Sequence, residues 1–293
     1  EYMSFVRAEA CAKINLSLDI VGKRNVGYHF MNMVMQSVNL CDTLELKQLK
    51  AGIDFFCSDQ SLPKGKDNLA VRAASAFFEV AGISGGVSIR LKKRIPSGAG
   101  MAGGSADAAA VLAGLNALYN TPLPHEALCE LGLKLGADVP FCLIGGTARV
   151  TGIGEKIEPL PALDSCFFAA LKPDFSIYTK EAFSKFDQAK AVQHPDTVCV
   201  CRAVKESNLV LLGASMYNVF EQTVEPALLH KIKRAFLTHG ACGAAMTGSG
   251  SVIYGIFEDR QTAMAAAAAV RPLGKESFVF EPVPYGISIA LIS

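Results

Sequence analysis

The fold is decided by Ile95-Pro96-Ser97-Gly98-Ala99-Gly100-Met101-Ala102-Gly103-Gly104-Ser105-Ala106-Asp107, where a glycine-rich loop opens directly into an alanine-rich helix. Residues 106–119 have high helix propensity without an internal proline, and Ser105 is a suitable N-cap for them. Upstream, residues 86–93 alternate apolar and polar side chains as a half-buried strand does. The sequence therefore predicts a strand, a loop and a helix in succession.

This arrangement is typical of phosphate binding by the backbone. Glycines let the main chain approach a bulky anion, and the first free amides of the following helix point at it. The spacing Gly98-x-Gly100-x-x-Gly103 also fits the fingerprint of dinucleotide-binding folds. Such a fold needs a second strand that ends in an acidic residue, but residues 120–124, which occupy the corresponding place, read as a turn. The loop is not a Walker loop, because no Gly-Lys-Ser/Thr closes it. A glycine-rich turn without a ligand is the plainer alternative.

Length and composition indicate a folded chain of two domains. The 293 residues are 51% hydrophobic and 19% charged, and the net charge is +1 without a basic run, which gives binding to nucleic acid or to an anionic membrane no electrostatic support. The apolar run at residues 263–270 is too short for a membrane span. The nine cysteines are scattered and predict neither a metal site nor a disulfide framework. We expect a cytoplasmic protein with a small-molecule partner, acting as a monomer or a homodimer.

Periodicity extends this picture to both sides of the loop. Residues 13–21 read as a strand that places Lys13 and Asn15 on the same face. Helix signals follow for five segments: a helix capped by Asp67 and ending near Ala81, then residues 125–135, 180–186, 226–238 and 259–270. Glycines between 145 and 154 followed by Pro159 and Pro161 mark a boundary. We therefore expect an α+β protein with domains at residues 1–160 and 161–293.

Three further segments make the chain recognisable. They are AKINLSLDIVGKRNVGYH at residues 12–29, GADVPF at residues 136–141 and AAMTGSGSVIYGIF at residues 244–257. Together with the loop, and in this order, they resemble the motifs of the GHMP kinase superfamily. Within it they resemble the kinases that act on the cytidine diphosphate conjugate of methylerythritol in non-mevalonate isoprenoid biosynthesis.

The resemblance implies a fold and a reaction. The fold is a two-domain α+β GHMP kinase fold, with an N-terminal domain like ribosomal protein S5 domain 2, a ferredoxin-like C-terminal domain and the active site in the cleft between them. The implied reaction moves the γ-phosphoryl group of ATP to the 2-hydroxyl of the methylerythritol unit, with Mg²⁺ as cofactor. Homoserine or mevalonate as the acceptor, and a catalytically silent nucleotide-binding sensor, are the alternatives.

The resemblance also implies roles for individual residues. Asp138 would take or orient the proton of the substrate hydroxyl, and Lys13 would keep Asp138 ionised and stabilise charge on the phosphoryl group. Taken alone, Asp138 reads equally well as a helix cap, and a solvated strand lysine is the commoner interpretation of Lys13. The expected substrate contacts are Asn15, Tyr28, His29, Thr179, Phe183, Gly248 and Ser249. The expected ATP contacts are Asn68, Lys93, Pro96, Ser97, Gly98, Ala99, Gly100, Met101, Ala102, Gly103, Gly104 and Ser105.

Within these sets, the cytosine base and the metal raise separate questions. The resemblance places hydrogen bonds from His29 and aromatic contacts from Tyr28 and Phe183 on the base. The sequence departs from the family at Ala106, where many members carry a second serine. This change leaves the backbone cradle intact, but it leaves the ligands of Mg²⁺ undetermined, with the Ser105 hydroxyl still in place.

Overall fold

The computed structural model describes residues 5–23, 29–121, 123–189 and 192–292, so Tyr28 lies outside the described residues. Over these ranges the strands are β1 Phe5–Lys23, β2 His29–Leu49, β3 Gly52–Cys57, β4 Gly86–Lys92, β5 Thr147–Gly152, β6 Lys156–Pro159, β7 Phe167–Lys172, β8 Tyr217–Asn218, β9 Gly243–Met246, β10 Ile253–Phe257, β11 Glu276–Phe280 and β12 Ile287–Ile292. The α-helices are α1 Leu69–Ala81, α2 Gly103–Leu118, α3 His125–Leu135, α4 Val139–Ile144, α5 Thr179–Gln188, α6 Thr197–Lys205, α7 Leu209–Ser215, α8 Pro226–Thr238 and α9 Arg260–Val270. None of these described helices is both long enough and apolar enough to cross a bilayer.

A large sheet built on β1 and β2 forms the first layer. Its strand order is β12-β1-β2-β4-β3, with β5 and β6 added beside β2 and β8 beside β1. Strand β1 is buried without interruption from Ala10 to Ile20. Both of its faces are therefore covered, and α2 and α6 are among the elements that contact it. The polar face predicted around Lys13 and Asn15 consequently lies inside the protein.

A second sheet has the order β11-β7-β10-β9, with every neighbouring pair antiparallel. Numbered along the chain, this order is 4-1-3-2, and helices occupy the connections from β7 to β9 and from β10 to β11. Helices α8 and α9 contact the strands of this sheet and each other. The expected ferredoxin-like arrangement is therefore present.

The two sheets are joined by more than the connection near Pro161. Strand β12, at the C-terminal end of the chain, pairs antiparallel with the first half of β1, and β8 pairs parallel with Ser17 and Leu18 of β1. The segment 161–293 thus contributes strands to both sheets, since β12 and β8 pair with β1 of the first sheet. A division into domains at residue 160 stays a prediction.

Two helix starts differ from the sequence prediction. Helix α2 begins at Gly103 rather than after Ser105, and its first bond runs from the amide of Ala106 to the carbonyl of Ala102, at 2.9 Å. The glycines adopt the helical conformation themselves, so Ser105 lies in the first turn. Helix α1 is capped by Asn68 rather than Asp67, since the Asn68 Oδ1 atom accepts the amide of Ala70 at 2.9 Å.

A buried charged cluster fixes the entrance of the glycine-rich loop. The Lys93 ammonium group contacts the side chains of Asp42 and Asp107, the latter at 2.7 Å, and Asp42 also accepts the amide of Ile95 at 2.9 Å. The Asp107 Oδ1 atom is buried without a partner among the described residues. Burial, opposed by the charge of Lys93, raises the pKa of Asp107 from its ordinary value of 3.8 to about 8.

The raised pKa makes stability depend on pH in a defined direction. Between pH 5 and 8 the folded protein holds a proton on Asp107 that the unfolded chain has lost, so raising the pH lowers the free energy of unfolding, by at most about 1.4 kcal/mol per pH unit from this group. We expect Asp107→Asn to lose this component of the slope in urea unfolding at several pH values. The exposed Asp54 provides the control Asp54→Asn. Equal slopes in wild type and Asp107→Asn would contradict the assignment.

Candidate active site

One large cavity collects nearly all of the predicted site residues. It has a volume of about 770 Å³ and opens between the glycine-rich loop, β1 and the turn after β9. Every predicted residue that the structure describes lines it, with the exception of Asn15. The lining residues from the prediction are Lys13, His29, Asn68, Lys93, the loop residues 96–105, Asp138, Thr179, Phe183, Gly248 and Ser249.

The glycine-rich loop is held from both sheets by its own backbone. The amide of Lys13 on β1 donates to the carbonyl of Met101 at 3.1 Å, and the amide of Val252 before β10 donates to the carbonyl of Ala99 at 3.2 Å. Between these bonds Gly100 has φ +74°, and a Cβ atom there would lie 2.1 Å from the carbonyl oxygen of Thr247. Only glycine fits this close approach, so the loop is positioned by the strands on either side of it.

Lys13 and Asp138 lie next to each other in the lining of the cavity. The Lys13 Nζ atom lies 3.7 Å from the Asp138 Oδ2 atom, and the two side chains are 4% and 32% exposed. Asp138 occupies the N-cap position of α4, but its side chain makes no capping hydrogen bond. Its carboxylate is therefore not used as a helix cap, and it lines the cavity beside an almost fully buried ammonium group.

Asn15 lies behind Lys13 rather than on the cavity wall. It is completely buried, and its Oδ1 atom accepts hydrogen bonds from Lys13 Nζ at 2.7 Å and from the amide of Gly248 at 2.9 Å. Its Nδ2 atom donates to the Met33 sulfur at 3.6 Å. Asn15 thus connects the buried lysine to the turn that follows β9.

Thr247, in the same turn, is a residue that the sequence reasoning missed. Its hydroxyl accepts the amide of Asn15 at 3.1 Å and lies 3.2 Å from the carbonyl of Gly100, to which it donates. Three motifs therefore converge on one buried hydroxyl. The available signal was its position in Met-Thr-Gly-Ser-Gly, directly before the predicted substrate contacts Gly248 and Ser249.

Aromatic rings line a further part of the cavity, its aromatic end. The rings of His29 and Phe183 stack with centroids 4.5 Å apart and planes 25° apart, and Phe220 meets Phe183 edge-on at 5.0 Å. The His29 Nε2 atom lies 2.7 Å from an oxygen of Asp187 on α5. Asp187 carried no signal in the sequence, since a charged residue on a short amphipathic helix is usually solvated.

Two pairs of predicted residues differ in whether their polar atoms are already bonded to protein atoms outside the pair. The hydroxyls of Thr179 and Ser249 lie 3.1 Å apart and face the cavity together. Asn68 and Lys93 also reach the cavity, but their polar atoms already bind protein: Asn68 caps α1 and donates to the carbonyl of Pro63 at 2.9 Å, and Lys93 is held by its two aspartates. Contacts from these two side chains to ATP stay a prediction.

Comparison with known proteins agrees with this geometry. Residues 68–146 match the GHMP kinases N terminal domain and residues 201–275 the GHMP kinases C terminal domain. The 4-diphosphocytidyl-2-C-methyl-D-erythritol kinase of Clostridium tetani is 44% identical over 260 residues, which are 88% of this chain and 93% of that protein. A crystal structure of 4-(cytidine 5'-diphospho)-2C-methyl-D-erythritol kinase aligns with a TM-score of 0.80 at 33% identity, over 94% of this chain and 98% of the other.

A homoserine kinase structure from Cytophaga hutchinsonii aligns as well, with a TM-score of 0.81 over 99% of this chain and 98% of the other. At 20% identity it shows the shared fold alone. The higher identities are those to kinases of the cytidine diphosphate conjugate, and they extend over most of the chain. The chain therefore belongs to the 4-diphosphocytidyl-2-C-methyl-D-erythritol kinase family of the GHMP kinases.

Proposed function

We propose that this protein transfers the γ-phosphoryl group of ATP to the 2-hydroxyl of 4-diphosphocytidyl-2-C-methyl-D-erythritol. The observation that carries the proposal is that a single cavity contains the glycine-rich loop, the pair Lys13 and Asp138, and the stacked rings of His29 and Phe183. These three features suit a triphosphate, a reacting hydroxyl and a pyrimidine base, respectively. The kinase names of the relatives support the same reaction.

The loop supplies the phosphate site. Helix α2 begins at Gly103, so its first amides have no partner inside the helix and their partial positive charge faces the loop. Residues 96–105 line the cavity, and the glycines among them leave the backbone accessible to phosphate oxygens. In our proposal this backbone cradle holds the β- and γ-phosphates and leaves the γ-phosphoryl group facing Asp138.

Asp138 and Lys13 supply the chemistry at the hydroxyl. The carboxylate has no capping role and is accessible from the cavity, so it can accept the proton of the 2-hydroxyl or orient that hydroxyl for attack. The Lys13 ammonium group is almost fully buried at 3.7 Å from it. In our proposal its positive charge stabilises the negative charge on the transferring phosphoryl group.

The donor set fits Mg²⁺, although no group of three or more His, Cys, Asp or Glu residues forms a metal cluster among the residues described. Mg²⁺ commonly binds through one or two protein oxygens together with substrate phosphates. The Ser105 hydroxyl lines the cavity beside the loop and would be such a protein ligand. When bound, the ion would neutralise negative charge on the phosphates of ATP.

The aromatic end of the cavity accounts for the nucleotide part of the substrate. His29 offers ring hydrogen-bonding atoms and Phe183 a flat apolar face, which together suit a pyrimidine base. The hydroxyls of Thr179 and Ser249 and the backbone of Gly248 line the same cavity, and we assign them to the diphosphate. Homoserine and mevalonate lack a base and would leave this end unused.

The proposal is tested by ADP release from Mg-ATP with the cytidine diphosphate conjugate, run beside homoserine and mevalonate. Turnover of the cytidine conjugate with no comparable rate on the other two alcohols is the expected result. Nucleotide binding by calorimetry without turnover of any alcohol would point instead to a sensor. Gel filtration of the same preparation tests the expectation of a monomer or a homodimer.

Replacing the carboxylate should affect the chemical step rather than ATP binding. We expect Asp138→Ala to lower kcat by about 10²- to 10⁴-fold, because the hydroxyl loses its proton acceptor. The Kd for ATP should stay within about twofold of wild type, since the loop is untouched. The exposed Asp164 lies outside the cavity, and Asp164→Ala serves as the control. A kcat within about threefold of wild type would remove Asp138 from the mechanism.

Adding one methyl group to the loop should weaken nucleotide binding. In Gly100→Ala the new Cβ atom would lie 2.1 Å from the Thr247 carbonyl at a φ of +74°, and the strained backbone alone costs of order 1–3 kcal/mol. We expect the Kd for ATP to rise by at least about tenfold in calorimetry. Gly65 has open space around its Cβ position, so Gly65→Ala is the matched control. Equal affinities in the two variants would show that the loop can shift without loss.

A further inference from the structure

An aspartate at the end of helix α5 reaches the ring of His29. The Asp187 Oδ1 atom lies 2.7 Å from His29 Nε2, and its Oδ2 atom pairs with the ammonium group of Lys23. The His29 side chain is 9% exposed and that of Asp187 is 33% exposed. Two residues far apart in the sequence, 29 and 187, thus form a close polar contact at the rim of the cavity.

This contact determines which ring nitrogen carries the hydrogen. Hydrogen bonds from Lys23 and His29 hold the pKa of Asp187 below its ordinary value, so its carboxylate is ionised and can only accept. His29 Nε2 must then donate, and in the neutral imidazole the other nitrogen, Nδ1, keeps a free lone pair. No described residue forms a hydrogen bond to Nδ1, which leaves it as an acceptor for a ligand.

The orientation of the ring is fixed from a second direction. Phe183 stacks on the imidazole with planes 25° apart, and Phe183 is itself held by the edge-on contact with Phe220. Asp187 and Phe183 both belong to α5, so one helix sets the tilt of the imidazole and its hydrogen-bonding pattern. A partner that bonds to Nδ1 must approach in the plane of the ring.

We propose that Asp187 is a positioning residue for pyrimidine selection: it holds the hydrogen of His29 on Nε2, so that Nδ1 accepts a hydrogen bond from the exocyclic amine of cytosine. The inference rests on the proposed function, in which His29 contacts the base. Uracil carries a carbonyl oxygen where cytosine carries this amine, and that oxygen would face the lone pair of Nδ1. A site arranged for a donor rejects an acceptor at the same place.

The test compares two substrates that differ only in the base. Wild type and Asp187→Ala are assayed for kcat/KM with the cytidine diphosphate conjugate and with its uridine analogue. We expect wild type to prefer the cytidine substrate by at least about 100-fold, and Asp187→Ala to lose at least about tenfold of that preference. The control Lys23→Met removes the other partner of Asp187 and should keep the wild-type ratio.

A spectroscopic signature separates positioning from general loss of structure. The ¹⁵N shifts of histidine ring nitrogens distinguish protonated from unprotonated atoms, and His29→Gln assigns the signals. We expect wild type at neutral pH to show a protonated Nε2 and an unprotonated Nδ1 for His29, and Asp187→Ala to show a mixture of tautomers. A wild-type ring protonated at Nδ1, or at both nitrogens, would overturn the proposal.

The outcomes also distinguish this inference from the function on which it rests. If wild type turns over neither nucleotide conjugate, the proposed function fails. If wild type turns over the cytidine conjugate but Asp187→Ala keeps the full base preference, the function stands and the role of Asp187 is refuted. Thermal unfolding of each variant confirms that a changed ratio comes from a folded enzyme.

Discussion

The active site depends on two backbone hydrogen bonds that hold the glycine-rich loop between the sheets. Lys13 on β1 and Val252 before β10 donate to the carbonyls of Met101 and Ala99, on either side of Gly100. These bonds fix the position of the loop. The carbonyl of Thr247 can approach Gly100 closely because glycine has no side chain. The bond from the Lys13 amide ties the loop to the strand that carries Lys13, and the loop and Lys13 both line the cavity.

Two buried lysines line the cavity, and they differ in how closely their charges are paired. Lys93 is held by contacts with the almost fully buried side chains of Asp42 and Asp107, which fix it at the entrance of the loop. Lys13 is as deeply buried, but the carboxylate near it is one-third exposed and lies at 3.7 Å rather than in tight contact. Its charge is therefore less closely paired than that of Lys93, and the proposed reaction assigns it to the charge that develops during phosphoryl transfer.

The sequence predicted which helices and strands form better than it predicted where they begin and which of their faces are buried. Helices α3 and α8 have the predicted limits, because strong apolar periodicity and clear stop signals agree there. Helix α2 begins earlier than Ser105, since two glycines joined the helix. The buried surroundings of Asn15 were not visible in an alternating strand pattern, because burial of both faces of β1 depends on helices that are distant in sequence.

By itself the sequence determined the two-domain α+β class, the loop and the order of four motifs, because glycine spacing, helix propensity and motif order are properties of contiguous residues. Only the tertiary structure decided which side chains meet. Asp138 lies beside Lys13 and makes no capping bond. Asn15 is buried behind the cavity lining, and Asp187 contacts His29, which is 158 positions away in the chain. Such contacts depend on how sheets and helices pack, and the local pattern of residues does not contain that information.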